Sequence, residues 1–214
     1  MKLALTELRR RPGRFSVAAV ILTLIAILLM FLGGLLDGLI ASSTGAIRAQ
    51  NADAIVYSDT AQASFVRSRI EPRTRAEVEA VPGVTEVGGI GNVQLGARIP
   101  GKGPRDLAGV ALFGYELAPE GVPDAPPAGQ AWADDVLESD GVEVGMIIEL
   151  GPARSPIEIA GFVSDTTFNG QASLWAAPDT WREVLSTNRP DAQLGPDVWQ
   201  GLIVRGDGDD LPAA

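Results

Sequence analysis

The side chains able to do chemistry are few, and carboxylates come first. Asp134, Asp135, Glu138 and Asp140 fall within seven residues. Such a run could hold Ca²⁺, but it lacks the glycine and the alternating ligand spacing of a calcium loop. It reads instead as a solvated helix face, with Asp134 or Asp135 near the N-terminal dipole. Asp207, Asp209 and Asp210 sit among glycines and read as a turn. An anchored hydrolase using Asp134 or Asp165 would need paired carboxylates in a defined pocket, which sequence spacing does not supply. Lys102 is the only lysine after Lys2, so a Ser–Lys dyad would have to use it. Gly101-Lys102-Gly103 lacks the spacing and the hydroxyl of a phosphate-binding P-loop and reads as a hairpin turn. The chain has no histidine and no cysteine. The commonest metal ligand and general base are therefore missing, and no disulfide holds the fold. Neither a Gly-x-Ser-x-Gly elbow nor a Ser-x-x-Lys motif occurs. The expectation is a protein that is not an enzyme, with no cofactor and no metal site.

Charge divides the chain. Its net charge is −10, yet residues 1–40 hold five basic and two acidic side chains and are net positive, so the acid lies in residues 41–214. An acidic exterior argues against nucleic acid and against an anionic membrane surface as partners. It serves solubility.

The element that must position everything else is at the N-terminus. Residues 15–40 contain one charge, Asp37, and the 20 residues from 17 to 36 contain none. A helix of about 20 apolar residues crosses a hydrocarbon core of roughly 30 Å, and a helix satisfies its own backbone there. A cleaved secretory signal has an apolar stretch of only about 7–15 residues, so residues 15–40 read as an uncleaved transmembrane helix in a lipid bilayer. Lys2, Arg9, Arg10, Arg11 and Arg14 precede it, and no basic residue follows it until Arg48. Basic flanks stay cytoplasmic, so residues 1–14 are expected inside, with Arg9, Arg10, Arg11 and Arg14 as the anchor, and the remainder outside. Asp37 is expected at headgroup level and wet. Gly33, Gly34 and Gly38 include a Gly-x-x-x-Gly pair that permits close packing of a second helix.

Residues 41–52 are small and polar and read as a juxtamembrane helical extension. Residues 53–206 read as an α+β domain in which strands outnumber helices. Residues 54–57 give a first strand. Thr74-Arg75-Ala76-Glu77 fits a capping box opening a short helix that Pro82-Gly83 stops. Residues 84–99 are one long or two short strands, broken at Gly88-Gly89, and form a hairpin with residues 107–115. The Pro/Gly-rich stretch 118–129 is a loop or a subdomain joint. A helix is expected over 134–139, strands over 144–150, 157–163, 173–176 and 201–205, and a helix from Pro178 to residue 185. Trp132, Trp175, Trp181 and Trp199 are expected in the core. Phe168-Asn169-Gly170 reads as an exposed turn able to carry a partner contact.

The order of these elements resembles the N-terminal part of a MacB/FtsX-like ABC transporter permease. The likeness starts with Leu3-Ala4-Leu5-Thr6-Glu7-Leu8 and the basic elbow Arg9-Arg10-Arg11-Pro12. It continues with Asn51-Ala52-Asp53-Ala54-Ile55-Val56-Tyr57 and with Val78-Glu79-Ala80-Val81-Pro82-Gly83-Val84. It includes the unit from Trp132-Ala133-Asp134-Asp135 to Val144-Gly145-Met146-Ile147-Ile148-Glu149-Leu150, in which Met146 stands where the family often has Asp. The resemblance implies an extracytoplasmic domain of MacB periplasmic-core type and a location in the cell (inner) membrane. It implies a permease subunit that serves a cytoplasmic ABC ATPase subunit in export or mechanotransmission, working as a permease homodimer or heterodimer. It also implies three further spans, so residues 207–214 read as a tail at a truncation point before them. The alternative is a single-span anchored binding or assembly module without transport activity.

Overall fold

A computed structural model of the chain describes residues 12–61 and 64–206. Two compact units result, Met1–Ala41 and Ser42–Ala214.

Helix α1 runs over Pro12–Arg48, 37 residues without a break. Among the described residues it is the one helix long and apolar enough to cross a membrane. Its Val, Ile, Leu, Met and Phe side chains between residues 17 and 40 are all exposed. A helix that is apolar all round and presents those side chains outward is suited to lipid rather than to a protein core.

The second unit is an α+β domain. Its strands are β1 (Ala54–Val56), β2 (Val84–Arg98), β3 (Leu107–Tyr115), β4 (Gln130–Asp134), β5 (Ile147–Leu150), β6 (Ser155–Val163), β7 (Ala172–Ala176) and β8 (Gly201–Gly206). They form one mixed sheet in the order β1-β8-β2-β3-β7-β4-β6-β5. The pairs β3–β7 and β4–β6 are parallel. β5 also returns to β2 through Ala97↔Leu150 and Arg98↔Glu149, so the sheet curls back on itself. The return covers only Ala97 and Arg98 of β2, and β1 stays at the free margin of the sheet.

Two short helices pack on the sheet. α2 (Pro72–Glu79) and α3 (Pro178–Asn188) both carry proline at their first turn, where its missing N–H costs nothing. α3 buries Trp181, Val184, Leu185 and Asn188 along one face, the spacing of an amphipathic helix. β7 and most of β3 are covered on both faces, which explains their largely apolar sequences, with Ser173 the buried polar exception. Val110, Leu112 and Leu174 enter one core with Ile148, Leu150 and Trp181. Ala111, Phe113 and Trp175 enter another with Ile90 and Ile203.

Several local expectations are corrected. α2 begins at Pro72, two residues before Thr74, and no side chain caps it. Glu77 instead pairs with Arg73 at 3.0 Å. β2 runs straight through Gly88-Gly89, because both glycines are ladder residues opposite Ile203 and Leu202. Their missing side chains make room for Leu117 and Trp199. β5 starts only at Ile147, since Gly145 adopts φ +81 in the preceding turn. The expected helix at 134–139 is a 3₁₀ turn, Asp135–Asp140.

Candidate functional site

Residues 42–50, the end of α1 and its first turn beyond, belong to the domain unit. Their small side chains let a loop lie directly on the helix backbone. A Cβ built on Gly45 would stand 2.6 Å from the Asp165 carbonyl oxygen and 3.0 Å from both Thr167 N and O. Three main-chain bonds hold this contact. Ala46 N–H donates to Thr167 O at 3.0 Å, Asn169 N–H to Ser43 O at 3.1 Å, and Gly170 N–H to Ser42 O at 3.1 Å. Asn169 and Gly170 are exposed, as expected for this turn, while their backbone N–H groups are bonded within the chain. Asp165 and Asn169 take positive φ, a conformation their short polar side chains tolerate.

The loop is itself pinned from beneath. Asp134 is fully buried, which corrects its expected place on a solvated helix face. Its Oδ2 accepts Thr166 N–H at 2.9 Å and the Thr166 hydroxyl at 2.7 Å, and its Oδ1 accepts Val136 N–H at 3.2 Å. The Thr166 and Ser173 hydroxyls are 2.7 Å apart, which ties the loop to β7. A buried carboxylate is tolerated when donors surround it in this way. Burial, then the neighbouring Asp134 and Asp165 carboxylates, hold the Asp135 carboxyl above its ordinary range. Phe168 meets Phe113 edge-on at 5.3 Å, and Phe113 stacks on Trp175 at 4.6 Å.

The other side of the segment is tied to β8 and to the connection after β3. Arg205 Nη2 donates to Gln50 O at 3.0 Å and to Ala118 O at 2.9 Å. Ala49 O accepts Glu120 N–H, and Asp53 Oδ2 accepts Gly206 N–H at 2.8 Å. Gln50 lies two residues past the end of α1, so the guanidinium sits near the negative end of the helix dipole.

Arg9, Arg10 and Arg11 lie outside the described residues, as do Asp207, Asp209 and Asp210, and Arg14 falls in the first turn of α1. The Cβ positions of Gly33, Gly34 and Gly38 are open. Lys102 pairs with Asp140 at 2.6 Å. Among the described residues no three acidic side chains converge as a metal site. A cleft of about 360 Å³ lies between α2 and α3, and its two arginines are engaged within the chain. Arg75 bonds Glu79 and Glu116, both at 2.8 Å. Arg182 lies over the Trp199 ring at 4.5 Å and donates to Gly195 O and Val198 O, and burial lowers its pKa. Trp175, Trp181 and Trp199 are core residues as expected, whereas Trp132 is half-buried and donates to Asp124 O at 3.0 Å. Sequence reading missed Gly45, Thr166 and Arg205. The one signal for them was the run of small residues at 41–46, which fits a helix face approached by another backbone.

No protein-family model matches the chain, and no curated protein sequence matches it. Among solved structures it is similar to the extracellular domain of the ABC-type transporter YknZ from Gram-positive bacteria, with 14% identity, TM-score 0.45, and coverage of 72% of this chain and 82% of that one. It is also similar to the periplasmic region of MacB from Actinobacillus actinomycetemcomitans, with 12% identity, TM-score 0.46, and coverage of 74% of this chain and 75% of that one.

Proposed function

We propose that this chain is the N-terminal part of a permease subunit in an ABC-type export or mechanotransmission complex. Its N-terminus faces the cytoplasm and its domain lies outside, as the basic flank supports. A separate cytoplasmic ATPase hydrolyses ATP, and this chain carries the resulting movement to the outer domain without catalysing a reaction. A second permease copy or a related permease packs against the span, with Gly33, Gly34 and Gly38 as the face for close approach.

The observation that carries this reading is the attachment of residues 42–50. They continue the helix α1 and are bonded to the β6–β7 loop on one side and to Arg205 of β8 on the other. β7 pairs with β3, and β8 pairs with β2. A displacement of the span therefore loads the central strands, where hydrogen bonds act together, and not a slack linker. A tethered binding module needs no such attachment and works equally well on a flexible stalk.

The test is isolation of the natural full-length protein from its own membrane in mild detergent. The expected result is an ABC ATPase subunit in stoichiometric amount. Isolation without any ATPase, from membranes that contain such subunits, would favour the anchored binding module and refute the permease.

A further inference from the structure

We propose that the edge of β2 between Gly91 and Gly96 receives an extended segment of a partner protein as an added strand. This goes beyond the coupling role and does not depend on it.

The pairing pattern leaves a gap at this edge. β8 runs along β2 only as far as Ile90↔Gly201. β5 joins the same strand only at Ala97↔Leu150. No described strand covers the edge between those pairs. The interval from Ile90 to Ala97 is about 23 Å at the usual rise, room for a strand of about four or five residues. Strand alternation fixes which groups face it. Asn92 N–H points away from β3 and donates to the Gln200 side-chain oxygen at 2.5 Å. Gly96 C=O points the same way and accepts Gly151 N–H at 2.9 Å. Gln94 lies midway between them, so its N–H and C=O face the gap as well.

Side chains around the gap carry unused polar capacity. Asn92 and Gln200 are 2% and 1% exposed. Both atoms of the Asn92 amide and the Gln200 Nε2 have no hydrogen-bond partner among the described residues. Buried amides in this condition are costly unless something bonds them. Asn92 lines two clefts, of about 120 and 290 Å³, which share Val66 and Gln94 as well. The walls mix apolar side chains, including Phe65, Phe168 and Leu185, with uncharged polar ones, and Arg189 is the one charged residue among the described lining. A polypeptide backbone fits this chemistry. Each peptide unit offers one donor and one acceptor, which a primary amide answers and which an open strand edge answers in register. The segment should be extended and uncharged where it crosses Asn92.

The probe is a displayed library of random 12-residue peptides, selected on the full chain in lipid nanodiscs. Selected sequences are then resynthesised with each backbone nitrogen methylated in turn. The expected result is that methylation weakens binding roughly tenfold at alternate positions only, the loss of one or two main-chain hydrogen bonds. Gln94→Pro removes an N–H facing the gap without removing a bond to β3, and should weaken binding by a similar factor, while Gln94→Ala leaves it unchanged. The methylation pattern alters the peptide and not the protein, so it stands even where Gln94→Pro fails to fold. No selectable peptide, or affinity indifferent to backbone methylation, would overturn the proposal and leave ordered water as the partner of these amides.

Discussion

Gly45→Ala sets helix propensity against the contact that joins residues 42–50 to the domain. In an exposed helix the substitution stabilises by about 1 kcal/mol. Here the new Cβ falls 2.6 Å from Asp165 O, about 0.8 Å short of ordinary contact, and 3.0 Å from two Thr167 backbone atoms. Backbone cannot swing aside as a side chain can, so the loop must lift. Lifting it breaks the bonds from Ala46 to Thr167, Asn169 to Ser43 and Gly170 to Ser42. At about 1 kcal/mol each these outweigh the propensity gain, leaving a net loss of about 2 kcal/mol. For a domain of this size that lowers Tm by roughly 4–8 °C. The assay is thermal unfolding of the full chain in nanodiscs, followed by near-UV circular dichroism of the tryptophan core. Gly38→Ala is the control, since its Cβ position is open, and it should leave the domain's Tm unchanged. A Gly45→Ala protein as stable as the control, or more stable, would refute the contact and the attachment built on it.

Three other expectations follow from the same packing. Asp134→Ala strands the buried Thr166 N–H and removes the cap at Val136, so chemical denaturation should register a loss of about 3 kcal/mol; a loss below about 1 kcal/mol would return Asp134 to the surface role read from sequence. Gly91→Ala pushes a methyl into the Trp181 ring, which stacks on Trp199 at 5.6 Å, and should cost about 2 kcal/mol and diminish the near-UV tryptophan signal. Burial raises the pKa of both tyrosines in the chain, Tyr57 and Tyr115, with the Asp124 charge adding to the effect at Tyr115. Folded pKa values above the unfolded value favour the native state below about pH 10, and that contribution is lost as pH rises through the native values. Tyrosinate absorbance should therefore show its first midpoint above 10, and a residue titrating at the ordinary value in the folded protein would contradict the packing.

Local signals were readable because they depend on residues near one another in the chain. The apolar run at 17–36, the β2–β3 hairpin around Pro100-Gly101 and the amphipathic face of α3 all follow from period and turn chemistry. The edges of elements were less readable where two rules competed. Pro72 at a first helical position overrode the capping pattern at Thr74. Gly88-Gly89 resembled a break, yet those glycines serve close approach by Trp199 and Leu117 within one strand. Pairings between distant segments carry no local mark. The Ile55↔Ile203 register and the return of β5 to β2 follow from which faces remain to be buried after the hairpins form. Asp134 illustrates the limit for the site. A carboxylate in an acidic run reads as solvated until Thr166, 32 positions later, is placed over it.

The proposed coupling role is most directly tested by a distance between the outer domains of the proposed permease pair. The chain has no cysteine, so a single Val144→Cys, at a position 62% exposed, gives one unique spin-label site per copy. Pulsed dipolar spectroscopy of the proposed permease, reconstituted in membranes with the ATPase that co-isolates with it, would compare ATP-trapped and ADP-bound states. Coupling through residues 42–50 requires the distance distribution to shift between the two states, and Gly45→Val to reduce that shift while ATP hydrolysis continues. An identical distribution in both nucleotide states, with the ATPase turning over, would contradict it.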